Sequence, residues 1–81
     1  MYKLNIIVYV PELETKYDVL IPIDKKVSTI LYLLKKGIKD LANLKLKSNV
    51  KLYEKTTGKV LNNNLTIKEN GLQNGSSIIL I

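Results

Sequence analysis

The sequence predicts a two-layer α+β domain in which a mixed sheet of four to five strands packs on one helix. Three observations carry that class. Apolar residues alternate with period two near both ends of the chain. Between those ends they recur at steps of three and four, the stripe of an amphipathic helix. The length, 81 residues, suits a single domain spanning 1–81. A chain of this size buries only about 60–65% of the surface its unfolded form exposes, and this one has no cysteine to staple it. Packing of a 46% apolar sequence and backbone pairing have to hold it together alone.

The elements follow in order. In the first run Leu4, Ile6, Val8 and Val10 point one way and Lys3, Asn5, Ile7 and Tyr9 the other, a β-branched strand with one buried face. Pro11 ends it, and residues 12–15 are loop. Tyr17, Val19 and Ile21 then alternate inward against Lys16, Asp18 and Leu20, and Pro22, lacking a backbone donor, closes that strand. The two runs form an antiparallel hairpin. Val27, Ile30, Leu31, Leu34, Ile38 and Leu41 make the helical stripe. Asp24 is placed to cap its start, and Lys35, Lys36 and Lys39 suit the negative end of the helix dipole. Gly37 either ends the helix or sits inside a longer one at a cost of about 1 kcal/mol. The spacing predicts helix over 25–37, with a frayed turn reaching 42.

Val50 and Leu52 face inward on a third strand, with Lys51 and Tyr53 outward. Thr56-Thr57-Gly58-Lys59 is a hairpin turn, Val60-Leu61 a short return strand, and Asn62-Asn63-Asn64 a further turn. Leu65, Ile67 and Leu72 belong to a compact crossover with one 3₁₀ turn near 67–70. Asn74-Gly75 reverses the chain, and the last run puts Ile78 and Leu80 inward, Ile79 and Ile81 outward. The first and last strands both carry continuous apolar inner faces. They are best buried as parallel central neighbours.

Thirteen lysines, no arginine and seven acids give a net charge of +6. Lysine supplies point charge without arginine's planar fork, so specific nucleic-acid reading is not expected. Weak, salt-sensitive, lysine-mediated binding of nucleic acid or an anionic surface stands as the alternative function. Histidine is absent too, which removes the commonest general base and metal ligand. Other candidate chemistry fails on context. Glu12 and Glu14 are loop acids, and Ser76 and Ser77 have no base to activate them. Thr56-Thr57-Gly58-Lys59 lacks the first glycine of a phosphate loop and precedes a strand. No catalytic, cofactor-binding or metal-binding residue and no cofactor are expected, and the chain is read as a non-enzyme. Its longest early apolar stretch, Ile6 to Val10, is far short of the roughly 18 residues a membrane span requires. Pro11, Glu12 and Glu14 follow at once, where a signal peptide would carry its cleavage site. No membrane insertion is expected, and the expected location is the cytoplasm.

The order strand, strand, helix, strand, short strand, strand (ββαβ(β)β) is that of the β-grasp, and the last third of the chain resembles ubiquitin. Gly58-Lys59-Val60-Leu61 is similar to ubiquitin's Gly-Lys-Gln-Leu hairpin return. Thr66-Ile67 stands where ubiquitin has Thr-Leu, Leu72-Gln73 where it has Ile-Gln, and Ser77-Ile78 where it has Thr-Leu. Ubiquitin ends in a basic tail and Gly-Gly, whereas this sequence stops at Ile81 within the last strand, so the resemblance implies a relative that is not conjugated. The sequence resembles most the tail-less YukD/EsaB family of type VII (ESAT-6-type) secretion accessory proteins of Gram-positive bacteria. These have about 80 residues and an ending of the form Asn/Asp-Gly-Asp-x-Leu-x-x-Leu. Here Asn74-Gly75-Ser76-Ser77-Ile78-Ile79-Leu80-Ile81 is similar, departing at Ser76. The resemblance implies a non-catalytic, bacterial protein-interaction module with an accessory or regulatory role in secretion. Its partner would be a protein such as a secretion ATPase or membrane component.

The interaction residues expected on this reading are outward and apolar. Tyr53 corresponds to the isoleucine at the centre of ubiquitin's recognition patch, Ile79 to the patch histidine and Ile81 to the patch valine. If their strands neighbour, the three make one surface with Lys51, Lys55 and Lys59 at its rim. A contiguous apolar patch marks a contact site where scattered apolar residues do not. The same face forming a weak homodimer in concentrated solution is the further alternative.

Overall fold

Period-two alternation at the N-terminus becomes a hairpin in the computed structural model, which describes residues 2–81. Strand β1 (Lys3–Val10) pairs antiparallel with β2 (Thr15–Pro22) in an unbroken register from Lys3 opposite Pro22 to Val10 opposite Thr15. A 3₁₀ turn over Pro11–Leu13 joins them, and Glu14 closes it in the left-handed region with φ 50°. Helix α1 (Val27–Ala42) follows, then β3 (Leu52–Glu54) and β4 (Ser77–Leu80). The sheet order is β2-β1-β4-β3, with β1 and β4 parallel and the other pairs antiparallel. The first and last strands are central neighbours, as their apolar faces require. Ile6, Val8, Val10, Ile78 and Leu80 from these two strands lie buried with Leu52 from β3 and Val27, Ile30 and Ile38 from α1.

The helix departs from expectation at both ends. Asp24 does not cap it. Lys26 is the capping residue, without a side-chain bond, because another part of the chain satisfies the first turn. Val27 N donates to the Leu65 carbonyl at 2.9 Å and Ser28 N to the Asn63 carbonyl at 3.2 Å. The orphan amides of a helix start need acceptors from any source, and here the crossover supplies them. At the other end Gly37 continues the helix, which stops where Asn43 takes a left-handed conformation with φ 53°. Leu41 belongs to the sequence stripe yet is 78% exposed, in the lining of the open groove between β2 and α1. Leu46, beyond the helix, is buried.

The return strand expected at Val60-Leu61 is reduced to one bridge, Tyr53 to Val60, with Leu61 N donating to the Leu52 carbonyl at 2.8 Å. The crossover holds itself by side chains. Thr66 Oγ1 accepts from Glu69 N at 3.0 Å while Glu69 Oε1 accepts from Thr66 N at 2.9 Å, a reciprocal capping box around one turn. Its product is Ile67, fully buried. Gly58 and Gly75 stand at φ 72° and 84°, where their hairpin and reversal demand a residue without Cβ.

Candidate protein-interaction surface

A strand with one buried face shows its alternate residues on the other, and pairing register decides which of them meet. Tyr53 lies directly opposite Ile79 on β4, and Ile79 is in turn level with Tyr9 on β1. Directly opposed residues of an antiparallel pair share a face, so the Tyr53–Val60 bridge adds Val60 on the same side. Tyr9, Ile79, Tyr53 and Val60 form one row across the outer face of the sheet. At a strand spacing of about 4.8 Å the row is about 14 Å long. Tyr9, Ile79 and Tyr53 are half-buried by one another and their neighbours, and Val60 is exposed.

The remaining expected residues divide. Ile81, 60% exposed, exchanges both backbone bonds with Lys51, at 2.8 and 3.0 Å. The two are therefore neighbours on the outer face, one step along from the row. Lys55 N donates to the Ser77 carbonyl at 2.9 Å, which places it at the opposite flank. Lys59 does not join them. Its carbonyl accepts from Glu54 N at 2.9 Å, so it stands opposite Glu54, one residue out of phase with the row. In the sequence Tyr9 is outward on its own strand and Val60 is part of a short return strand with no facing assigned. Their membership depends on the register between strands, which no single stretch of sequence encodes.

Among the described residues no group of three or more acidic, cysteine or histidine side chains could hold a metal ion. Glu54, the acid nearest the row, has its Oε1 taken by the Thr57 hydroxyl at 2.8 Å. What the face can do is bury aromatic and aliphatic area against another molecule, with lysines at the margin.

No protein-family model matches this chain, and no curated protein matches its sequence. Solved structures do match. A ubiquitin-like domain of an Arabidopsis thaliana protein is 23% identical with a TM-score of 0.70, over 100% of this chain and 78% of that one. The EccD5 ubiquitin-like domain from Mycobacterium xenopi is 15% identical with a TM-score of 0.74, over 100% and 94%. A chain of the ESX-5 inner membrane complex is 16% identical with a TM-score of 0.74, and this chain covers all of its own length but 21% of that one. At such identities the likeness shows the fold alone. The protein is a mixed α+β chain of ubiquitin-like β-grasp fold. Among the described residues no helix is long and apolar enough to cross a membrane.

Proposed function

We propose that this chain is a non-catalytic ubiquitin-like interaction module that docks a protein partner on the outer face of its sheet. One observation carries the reading. Tyr53 and Ile79 are directly opposed, and register extends them into a continuous row with Tyr9 and Val60. Tyrosine and branched aliphatic side chains held on a rigid sheet lose little conformational freedom on binding, and anchors of this kind dominate interface energy. Ile81 and Lys51 extend the contact, and Lys51 and Lys55 act mainly on association rate and salt dependence. Lys59, expected at the same rim, plays a smaller part from its out-of-phase position.

The partner class proposed is a cytoplasmic component of a type VII secretion machine, an ATPase or membrane subunit. The resemblance of the 74–81 ending to the YukD/EsaB family and the likeness in fold to a domain of the ESX-5 complex both support this. Pull-down of candidate secretion components from the source cell tests it. Tyr53→Ala with Ile79→Ser should abolish capture while the melting temperature moves by only a few degrees. Undiminished capture by that double variant would refute the docking face.

A second reading rests on a separate observation. Lys35, Lys36, Lys39 and Lys45 surround one depression beside the exposed Tyr32, with no acid among the lining residues. This cluster suits weak binding of a polyanion such as nucleic acid or an anionic surface. Lysine-driven binding falls steeply between low and physiological salt, whereas capture through the apolar row holds. Loss of all binding on neutralising Lys35, Lys36 and Lys39, with the row intact, would favour this second reading over the first.

A further inference from the structure

The two edges of the sheet are built differently. Edge β3 has only three residues, and the Lys59–Leu61 segment covers its outer side. Edge β2 has eight residues and no bulge, and among the described residues it has no neighbour beyond it. Ile23 N donates to the Tyr2 carbonyl, which fixes the phase of the ladder. Thr15, Tyr17, Val19 and Ile21 direct their backbone groups toward β1. The N–H and C=O groups of Lys16, Asp18 and Leu20, and the carbonyl of Pro22, point to the open side. A long, flat, uncovered edge is a template for another strand, and proteins ordinarily blunt it.

Beside this edge runs a groove of about 360 Å³ between β2 and α1, lined by Val19, Ile21, Leu33, Leu34, Gly37 and Leu41 among others, with Asp18 its one charged residue. Leu33 and Leu41 are 52% and 78% exposed. Gly37 occupies the helical wall. A glycine inside a helix costs about 1 kcal/mol relative to alanine, and nothing in the molecule requires this one. Its φ is not positive, and a Cβ built on it meets nothing within 4 Å. The missing side chain leaves room in the groove.

We infer that β2 and this groove bind an extended peptide segment of a partner, added as a fifth strand. Its residues opposite Tyr17, Val19 and Ile21 would project over α1 into the groove, so the segment must be apolar at alternate positions. Charge decides the rest of its chemistry. A second copy of this chain would bring another +6 against the first, which opposes self-pairing. Lys16 stands at one end of the open edge and Lys25 and Lys26 just beyond the other, with Asp18 between. The matching segment is acidic at both ends and uncharged in the middle. Two strands separate this site from the one that carries Tyr53, and the site does not depend on the outer-face reading.

The probe is a synthetic nine-residue peptide alternating valine or leucine with threonine, with glutamates at each end, titrated into the ¹⁵N-labelled full chain. Binding should shift the amides of Lys16, Asp18 and Leu20 and slow their exchange with solvent. Gly37→Leu should weaken it by about tenfold or more by filling the groove, a change worth about 1.4 kcal/mol. Leu41→Glu, at a position too exposed to affect folding, should do the same. Tyr53→Ala with Ile79→Ser should leave it unchanged. No response at the three amides, a response at Tyr9 and Ile79 instead, or equal binding of a peptide with its apolar residues regrouped at one end would overturn the inference. So would protection of those amides that grows with protein concentration in the absence of peptide, since a second copy would then hold the edge.

Discussion

Thr66, half-buried, and Glu69, exposed, show how a pair at the surface can matter to a small fold. The Glu69 carboxyl is held below its ordinary value of 4.5, first by the Thr66 amide, then by the Thr66 hydroxyl, with Lys26 adding a weaker attraction against slight desolvation. A carboxylate whose value falls on folding stabilises the fold above its unfolded value, and that contribution is lost as pH drops through the folded one. The turn should therefore weaken below about pH 4.5. Glu69→Gln keeps a side-chain acceptor for the Thr66 amide but removes the charge. Its melting temperature should be lower than the parent's at neutral pH, and the gap should close well below 4.5. A gap that stays constant through acid would mean that the ionised carboxylate is not what the turn holds.

Burial at single positions also ranks the core. Ile6 and Ile67 are both fully buried, whereas Leu34 is only half-buried. Truncating either isoleucine to alanine should cost about 2–5 kcal/mol, close to the whole stability of a domain this size. Leu34→Ala should cost clearly less, because its cavity opens to solvent along the α1 groove. Urea midpoints order the three. A Leu34 loss equal to that of Ile6 would place the helix deeper on the sheet than it lies here.

At the scale of elements, alternation and the three-four stripe are local signals. They sufficed for β1, β2, β4 and the existence of α1 though not its ends, and the apolar inner faces of the first and last strands sufficed for the parallel pairing at the centre. What they could not reveal was long-range. The helix start is satisfied by the carbonyls of Asn63 and Leu65, nearly forty residues on, so the nearby Asp24 looked like the cap. Leu41 continues the stripe but stays 78% exposed, because a local period cannot say how far along the helix there is sheet to cover it. The candidate surface was legible as Tyr53, Ile79 and Ile81, since outward phase is local. It was not legible as a row, because Val60 joins through a single bridge and Lys59 drops out by the same register. The local pattern fits Gly37 as terminator or as interior residue alike, and the interior position it occupies makes a prediction. Gly37→Ala should raise stability by about 1 kcal/mol, from helix propensity and a restricted unfolded chain. Its Cβ has free space, so thermal melting should show the gain directly. A loss would mean that the helical wall is tighter than its geometry indicates.

For the whole molecule, strand order sets which hydrogen bonds survive longest. β1 and β4 lie between other strands and carry Ile6, Val8, Val10, Ile78 and Leu80, all at or below 2% exposure. Separating them exposes the whole core, so their amides exchange only through global unfolding. With a stability of about 5 kcal/mol or more, exchange there should be slowed at least about a thousandfold. β2 belongs to the same sheet but bonds on one side only. Along it protection should alternate: high at Tyr17, Val19 and Ile21, whose amides point to β1, and near zero at Lys16, Asp18 and Leu20, whose amides meet water. A stretch of alternating fast and slow amides is the signature of an open edge in an otherwise fixed strand. Uniform loss along β2 would instead mean that the strand detaches as a unit, and a detaching strand would offer no ordered edge for a peptide. Uniform protection would mean that the edge is already occupied. Amide exchange of the free chain at low concentration separates these three states, and only the alternating pattern is compatible with a sheet rigid at its centre and available at its edge.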